Sequence, residues 1–240
     1  MRKLLLLSIY FFVYSSQAVA AISKEDFFFV LHTVKDEYQS YASQFDQQLH
    51  FNMPDISSEF WWNLEVPHAY YTGYFDEEQI LHHQIFISGG VARLPNATME
   101  GVALILCHEL GHPYGGAPLR YDDDGVKISL EGQADYYSTA QCLRKILPLI
   151  PTRQSAPPDP YGACQDDICR RIFVAIETQR DYFAANAENP QQTNYYTPST
   201  EVVDSINYEP FFYPSAQCRL DTLVAGALQR PRPACWYKEP

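Results

Sequence analysis

The feature that most constrains the fold is a short motif near the middle of the 240-residue chain, His-Glu-Leu-Gly-His at residues 108–112. The two histidines are four residues apart, so on a helix both imidazoles lie on one face and can reach a single metal ion. The segment just before the motif, residues 102–106, is apolar on most sides, which predicts a buried helix. A His-Glu-His face on a buried helix needs a compensating partner, and a metal ion supplies one.

Glu109, next to the first histidine, gives the motif a catalytic interpretation. Bound zinc lowers the pKa of a water molecule to about 7, which makes hydroxide available at neutral pH. Glu109 would accept the proton of that water and pass it to the leaving amine. The alternative is a chance match on an exposed helix, with histidines that are hydrogen-bonded rather than metal ligands.

A second acidic pair, Glu131 and Asp135, begins another predicted helix nineteen residues after His112. These two residues are also four apart and share one helix face. One carboxylate can be the third zinc ligand, and the other can accept a hydrogen bond from the non-coordinating nitrogen of a ligand histidine. Three protein ligands with an open fourth position form a catalytic rather than a structural zinc site. The alternative, an acidic first turn favoured by the helix dipole, accounts for Glu131 better than for Asp135.

Together the two segments, HELGH at 108–112 and EGQAD at 131–135, resemble the gluzincin metallopeptidases. The similarity is greatest to the group that contains the CAAX prenyl protease and the HtpX-like membrane proteases. It implies an α+β fold: a single zincin-like metallopeptidase domain with a small mixed sheet, an edge strand beside the motif helix and several packed helices. It also implies one zinc ion and five residues in defined roles: His108, His112 and Glu131 as ligands, Glu109 as general acid and base, and Asp135 as the group that orients a ligand histidine.

Residues 84–90 resemble the strand and glycine that precede the active helix in that group. In such enzymes this strand lies at the edge of the sheet and pairs with the extended substrate. By resemblance, the substrate would lie antiparallel to this strand and contact four of its residues: Ile85, Phe86, Ile87 and Ser88.

Residues 213–220 resemble the family segment H-P-x-x-x-x-R-[IL], with Tyr213 at the position of the usual histidine. Tyr213 can still donate a hydrogen bond to a tetrahedral oxyanion. Arg219 would shape or anchor the substrate cleft, or form a plain structural ion pair. The resemblance covers residues 84–142 and 208–224. The family's membrane helices are absent from this sequence, so we expect an exported relative without a membrane bundle.

The N-terminal 20 residues have the pattern of a cleaved secretory signal peptide. Two basic residues precede a largely apolar run at 4–14, and Ala18-Val19-Ala20 places small residues at the −3 and −1 positions. The run is too short for a typical membrane span of roughly 20 residues, which leaves an uncleaved anchor as the weaker alternative. We therefore expect cleavage after Ala20, a mature domain at residues 21–240, and a periplasmic or secreted location that permits disulfides.

The charge balance excludes some classes of partner. The chain has 17 basic and 29 acidic residues, a net charge of −12, and loss of the two basic residues of the signal would leave −14. Such a chain repels nucleic acid and anionic membranes. The expected partner is a peptide or protein substrate, and a monomer is favoured.

Six cysteines in an exported chain indicate disulfides. Cys218 and Cys235 flank the last predicted helix and can close a loop worth roughly 3 kcal/mol. We expect one cysteine of the close pair, Cys164 and Cys169, to bond to Cys142. Cys107 is then either a buried free thiol or the partner of the cysteine that remains.

Hydrophobic periodicity and end signals predict helices at about 24–48, 99–112, 130–147, 166–186 and 215–228. Short β-rich runs are predicted at 60–66, 69–75 and 84–92. Polar or proline-rich loops are expected at 117–128, 148–160 and 186–200. The sequence contains no internal repeat and no linker that would separate two domains.

The remaining polar candidates predict no further metal site. Five histidines lack ligand spacing to any other residue, which predicts ordinary surface or core positions: His32, His50, His68, His82 and His83. The acidic residues of 122–125 are consecutive rather than alternating, so a solvated turn is predicted in preference to a calcium loop.

Two functions from different classes remain. The first is an exported zinc endopeptidase that hydrolyses peptide bonds with a metal-activated water. The second is a catalytically silent zinc-fold protein, a chaperone or an envelope assembly factor, for which Tyr213 and the unassigned segment at 148–165 leave room. Glu109 favours the peptidase, because a purely structural zinc site has no use for that glutamate.

Overall fold

A computed structural model of the chain describes residues 22–152, 156–186, 192–210 and 212–239. The predicted signal peptide, residues 1–20, lies outside these ranges. The described part combines helices with two small sheets, which confirms the predicted α+β class. In chain order the elements are α1 (Lys24–Ser43), β1 (Gln48–Phe51), α2 (Ser58–Asn63), β2 (Ala69–Phe75), β3 (Leu81–Ile87), α3 (Met99–Tyr114), β4 (Leu119–Tyr121), β5 (Lys127–Ser129), α4 (Glu131–Tyr137), α5 (Leu143–Ile146), α6 (Asp167–Asn186) and α7 (Ala216–Ala227).

Helix α1 begins where the sequence predicts but ends earlier, at Ser43. The Ser23 hydroxyl caps the helix by accepting a hydrogen bond from the Asp26 backbone N–H. Asp46, with a φ of 55°, lies in the left-handed region just after the helix, and the chain then enters β1. The apolar stripe of α1 is buried as its periodicity predicts: Phe27, Val30, Leu31, Val34 and Tyr38.

The three-stranded sheet has the order β1-β3-β2. β1 runs parallel to β3 with Phe51 opposite Ile85, and β2 runs antiparallel to β3 with Tyr71 opposite the same residue. The strand that carries Ile85–Ile87 is therefore central and is paired on both sides. The prediction that it is an edge strand was wrong, because the four-residue strand β1 adds to its other side. The sheet edge beside α3 is β2.

The segment predicted as a strand at 60–66 is largely helical, since α2 occupies its first half. The Ser57 hydroxyl caps this short helix by accepting a hydrogen bond from the backbone three residues on. A Cβ on Gly89 would lie 2.0 Å from the backbone oxygen of Trp62. Only glycine allows this approach, and the chain there forms a 3₁₀ turn (Gly89–Arg93), so the β-rich run predicted at 84–92 ends as a strand at Ile87.

Helix α3 lies in the centre of the fold and is buried from Met99 to His112 almost without interruption. Helix α6 crosses it at Gly101, where a Cβ would lie 1.9 Å from the Thr178 hydroxyl oxygen. Helix α4 crosses it at Gly111, where a Cβ would lie 2.6 Å from the Ala134 Cα. The two glycines thus let both neighbouring helices approach the backbone of α3 closely.

Two segments between α3 and α6 differ from the sequence-based prediction. The loop predicted at 117–128 contains the antiparallel hairpin β4–β5. The Asp122 carboxylate accepts hydrogen bonds from two backbone N–H groups of its turn. The helix predicted at 130–147 is present but divided, because α4 passes through a π-helical turn (Ser138–Cys142) into α5.

Three disulfides join the six cysteines: Cys107–Cys142, Cys164–Cys169 and Cys218–Cys235. The last of these confirms the prediction. The expectation that Cys142 bonds to one of the close pair was wrong, because α3 packs against the π-helical turn and places the Cα of Cys107 5.6 Å from that of Cys142. Cys107 is therefore not a free thiol.

Most buried apolar side chains of the described residues belong to one cluster, which α1, α3, α6, α7 and the sheet share. A second, small cluster contains Trp236 and the disulfide beside it. The Trp236 ring packs on the backbone of α4 at Gly132, where a Cβ would lie 2.4 Å from the ring. Among the described residues, no helix is long and apolar enough to cross a membrane.

Candidate metal centre

Three side chains on α3 form the centre of the site. His108, Glu109 and His112 are buried, with 6%, 4% and 8% of their surface exposed. One ligand atom of each lies within 4.8 Å of the other two, so this group can hold a metal ion. The helical spacing of the two histidines therefore produces the geometry that the motif predicts.

Glu131, the first residue of α4, lies against both histidines. Its Oε2 is 3.3 Å from Nε2 of His108, and its Oε1 is 3.7 Å from Nε2 of His112. A tetrahedral ion with bonds of about 2.0 Å separates its ligand atoms by about 3.3 Å. These distances fit a carboxylate and two imidazoles around one small divalent ion.

The far nitrogens of both imidazoles have acceptors. Nδ1 of His108 lies 2.8 Å from Oδ1 of Asp135, and Nδ1 of His112 lies 3.1 Å from the Ser129 carbonyl oxygen. We assign the proton of each neutral ring to Nδ1, since each Nδ1 faces an acceptor. When both rings are neutral, each Nε2 directs a lone pair towards Glu131, and a cation between them can bond to all three side chains. The donor set therefore fits a metal ion.

The carboxylates attract positive charge to this site. Burial acts to lower the pKa of His108, but the carboxylates around it, Asp135 first and then Glu131 and Glu109, together raise that pKa to about 10. Burial acts to raise the pKa of Glu131, yet the two histidines and Arg219 hold it below its usual range. Burial lowers the pKa of His112. A proton satisfies only one of the two rings, whereas a metal cation satisfies both.

Arg219, on α7, holds the two carboxylates of α4 in place. Its Nε and Nη2 donate to Asp135 at 2.7 and 2.9 Å, and Nη2 lies 3.5 Å from Oε2 of Glu131. Its guanidinium also lies 4.1 Å above the Phe183 ring and 5.6 Å from the centre of the Tyr213 ring. Arg219 lines the cleft, but its charge is engaged in an ion pair, the second of the two roles expected for it.

Glu109 differs from the other two carboxylates of the site. We find no hydrogen bond or ion pair to its side chain within the described part of the chain. Burial raises its pKa to about 7. A carboxyl group with such a pKa can both accept and donate a proton at neutral pH.

An open cleft of about 670 Å³ passes these residues. The start of β2 with the residue before it, the end of α6 and the start of α7 all line this cleft. The Tyr71 ring stacks on the His112 ring, with 5.8 Å between their centres. Tyr213 lies half-exposed on the rim, and burial raises its pKa, so its phenol stays protonated and can donate a hydrogen bond.

The structure brings most of the predicted site residues to this cleft, with Asp135 directly behind them: His108, Glu109, His112, Glu131, Tyr213 and Arg219. Residues 85–88 lie elsewhere. Ile85 and Ile87 belong to the core, and Phe86 stacks on Tyr70 at 4.4 Å. Ser88 donates a hydrogen bond to the Val66 carbonyl oxygen. A central strand has no free backbone groups for a substrate, so the substrate-binding role predicted for Ile85, Phe86, Ile87 and Ser88 is not supported.

Several residues that line the cleft were not predicted from the sequence to belong to the site: His68, Ala69, Tyr71, Arg120, Tyr182, Phe183 and Asn186. They come from separate elements and form no motif, so no sequence signal identifies them. His83, one of the histidines predicted to be ordinary, is a buried core residue. Its two ring nitrogens bond to Tyr71 and Gln47.

Comparison of the chain with known protein families, with curated proteins and with solved structures gave no match. The chemistry of the site therefore has to be inferred from its own geometry. That geometry combines a pair of histidines that can hold a metal ion, a carboxyl group that titrates near neutral pH, and an open cleft beside an edge strand.

Proposed function

We propose that this chain is an exported zinc-dependent endopeptidase, with His108, His112 and Glu131 as the zinc ligands. The observation that carries the proposal is the spacing of 3.3 and 3.7 Å between the Glu131 oxygens and the two Nε2 atoms. Beside this group lies Glu109, a buried carboxyl that forms no ion pair with any of the residues that the structure describes. The resemblance of the two motifs to the gluzincin metallopeptidases supports the same assignment.

The donor set favours zinc over other divalent cations. Two imidazoles and one carboxylate are ligands that zinc takes in catalytic sites, whereas calcium and magnesium prefer oxygen ligands alone. When bound, zinc supplies Lewis-acid chemistry, because it polarises a carbonyl group and makes water nucleophilic at neutral pH.

Glu109 performs the proton transfers in this proposal. As a carboxylate it accepts a proton from the attacking water, and as a carboxylic acid it donates that proton to the nitrogen of the breaking C–N bond. The same group must act in both directions within one turnover. The pKa of about 7 that burial gives Glu109 suits both steps.

The other polar residues position the reacting groups. Asp135 and Ser129 orient the two imidazoles. Arg219 holds Asp135 and Glu131 in place, because its guanidinium N–H groups donate hydrogen bonds to both carboxylates. We assign Tyr213 as a hydrogen-bond donor to the oxyanion, because its protonated phenol lies on the rim of the cleft.

Location and substrate belong to the same proposal. Three disulfides suit an oxidising compartment, and together with the predicted signal peptide they support a periplasmic or secreted location. The open cleft beside β2 suits an extended peptide or an unfolded protein segment as substrate.

The second candidate is a catalytically silent zinc-binding chaperone or envelope assembly factor. Its support is Tyr213, which stands where the resemblance places a histidine. In this function the metal only stabilises the fold, and Glu109 has no task. The two candidate functions therefore differ in whether substitution of Glu109 lowers a rate of peptide hydrolysis.

The test combines metal analysis of the purified mature chain with cleavage of unfolded casein. We expect one zinc ion per chain, and we expect Glu109→Gln to keep the zinc but to lose about 10²- to 10⁴-fold of the rate. Glu77→Gln is the matched control, because it makes the same change at an exposed position. Undiminished cleavage by Glu109→Gln would contradict the assignment, and zinc without any rate in the wild type would favour the second candidate.

A further inference from the structure

Tyr182, on α6, occupies the free edge of β2 inside the cleft. Its hydroxyl accepts a hydrogen bond from the Ala69 backbone N–H at 2.9 Å and donates one to the Ala69 carbonyl oxygen at 3.1 Å. The two residues are 113 positions apart in the chain, so chain connectivity does not impose this contact. One phenol thus takes both hydrogen bonds that a neighbouring strand would make at Ala69.

The backbone groups of β2 point alternately to its two sides. The His68 carbonyl oxygen accepts a hydrogen bond from the backbone N–H of Ser88, the residue after β3. The backbone groups of His68 therefore point towards β3. The backbone N–H and C=O groups of Ala69 then point away from β3, and so do those of Tyr71 two residues later. The edge beside the metal centre therefore presents Ala69 and Tyr71, and Tyr182 has already bonded to Ala69.

The next turn of α6 reinforces this contact. The Asn186 side chain donates hydrogen bonds to the Pro67 carbonyl oxygen at 3.2 Å and to the Tyr182 carbonyl oxygen at 2.9 Å. Phe183 lies beside Tyr182 on the same wall of the cleft and packs under Arg219. Helix α6 thus closes the end of the cleft at which β2 begins.

We propose that Tyr182 determines where a bound substrate strand ends, and that the enzyme recognises its substrate mainly on the N-terminal side of the scissile bond. This inference rests on the proposed function. A peptide that pairs antiparallel with β2 runs towards Ala69 with its C-terminal half. Its backbone pairing ends at the residue opposite Tyr71, because the next outward-facing position, two residues or about 7 Å further along, is Ala69. Residues further along gain no strand pairing, because the Tyr182 hydroxyl holds the groups that would bind them.

The test uses a series of peptides with a fixed N-terminal half and one to five residues after the scissile bond. We expect kcat/KM of the zinc-loaded wild type to stop rising after about the second of these residues. Tyr182→Ala removes both the hydroxyl and the ring and frees the Ala69 backbone, so kcat/KM should rise about tenfold further with longer peptides, from two gained backbone hydrogen bonds. Tyr195→Ala is the matched control, because it makes the same change outside the cleft, where the Tyr195 hydroxyl bonds to Glu177.

A binding measurement separates this inference from the proposed function. Fluorescence anisotropy with the same peptides is measured on Glu109→Gln and on Glu109→Gln combined with Tyr182→Ala, both with zinc. The inference predicts that affinity levels off with length in the first protein and continues to rise in the second. Equal profiles, or no binding in either protein, would overturn it, whereas full activity of Glu109→Gln would overturn only the proposed function. If Tyr182→Ala fails to fold, a steady rise in wild-type kcat/KM up to five residues would still overturn the inference.

Discussion

A single added methyl group, in Gly111→Ala, should weaken metal binding more than it weakens the fold. Gly111 lies where α3 and α4 cross, next to His112 and opposite the helix that begins with Glu131. Its new Cβ would lie 2.6 Å from the Cα of Ala134 and 2.9 Å from that residue's carbonyl oxygen. Carbon atoms that are not bonded normally stay about 3.5–4.0 Å apart, so α4 must retreat by about 1 Å.

That displacement sets the expected magnitudes. Overpacking costs about 1–3 kcal/mol, and the better helix propensity of alanine returns about 1 kcal/mol, which leaves a net loss of about 0–2 kcal/mol. Ligand distances tolerate only about 0.2 Å of error. Glu131 therefore moves out of bonding range of an ion held by His108 and His112. Because displaced supporting groups alone cost about 10- to 100-fold in metal affinity, we expect a loss of at least about 100-fold.

The assay compares thermal unfolding in excess chelator with a competition titration for zinc. The matched control is Gly101→Ala, which adds the same atom to the same helix, 1.9 Å from the Thr178 hydroxyl oxygen on α6. No proposed ligand lies on α6, so this variant should lose similar stability and keep its zinc affinity within about threefold. If Gly111→Ala binds zinc as tightly as Gly101→Ala does, the placement of Glu131 as a ligand is refuted.

Two further predictions concern the fold. Burial lowers the pKa of His83 to about 4 in the folded chain, whereas the same histidine in the unfolded chain takes up a proton at about pH 6.5. As the pH falls from about 6.5 to about 4, protonation therefore favours the unfolded chain, and about 3 kcal/mol of stability should be lost. Chemical unfolding at several pH values should show this loss, and His83→Gln should flatten it. Replacing both cysteines of Cys107–Cys142 with alanine should cost about 4 kcal/mol, against about 2 kcal/mol for Cys164–Cys169, because the first disulfide closes a loop of 35 residues and the second a loop of 5. Equal losses in thermal unfolding would contradict the chain-entropy argument.

The elements that could be predicted from the sequence are those shaped by forces that act within a few residues. Helix α3 and its cap at Thr98 follow from the apolar run and from the threonine before it. The histidines of α3 face one point because a helix turns by 3.6 residues. The same local reasoning identified Glu131 and Asp135, which share a face of α4.

The predictions were wrong where distant segments compete for the same partner. Strands β2 and β3 are both short and rich in aromatic and β-branched residues, and nothing in either one says which lies at the edge. Only the insertion of β3 between β1 and β2 decides that β2 borders the cleft. The pairing of Cys107 with Cys142 has the same cause, since it depends on how α3 packs against the π-helical turn.

By itself, then, the sequence determined the two helices that carry the candidate ligands and the chemical types of those ligands. Helix periodicity and capping are local, so they can be inferred from consecutive residues. The tertiary structure alone decided that Arg219 contacts Asp135 and that Tyr182 reaches Ala69. It also placed β2 between the cleft and the central strand β3, which carries the predicted substrate-binding residues. These contacts join residues about 80 or more positions apart, and packing of the whole core selects them rather than any pattern along the chain.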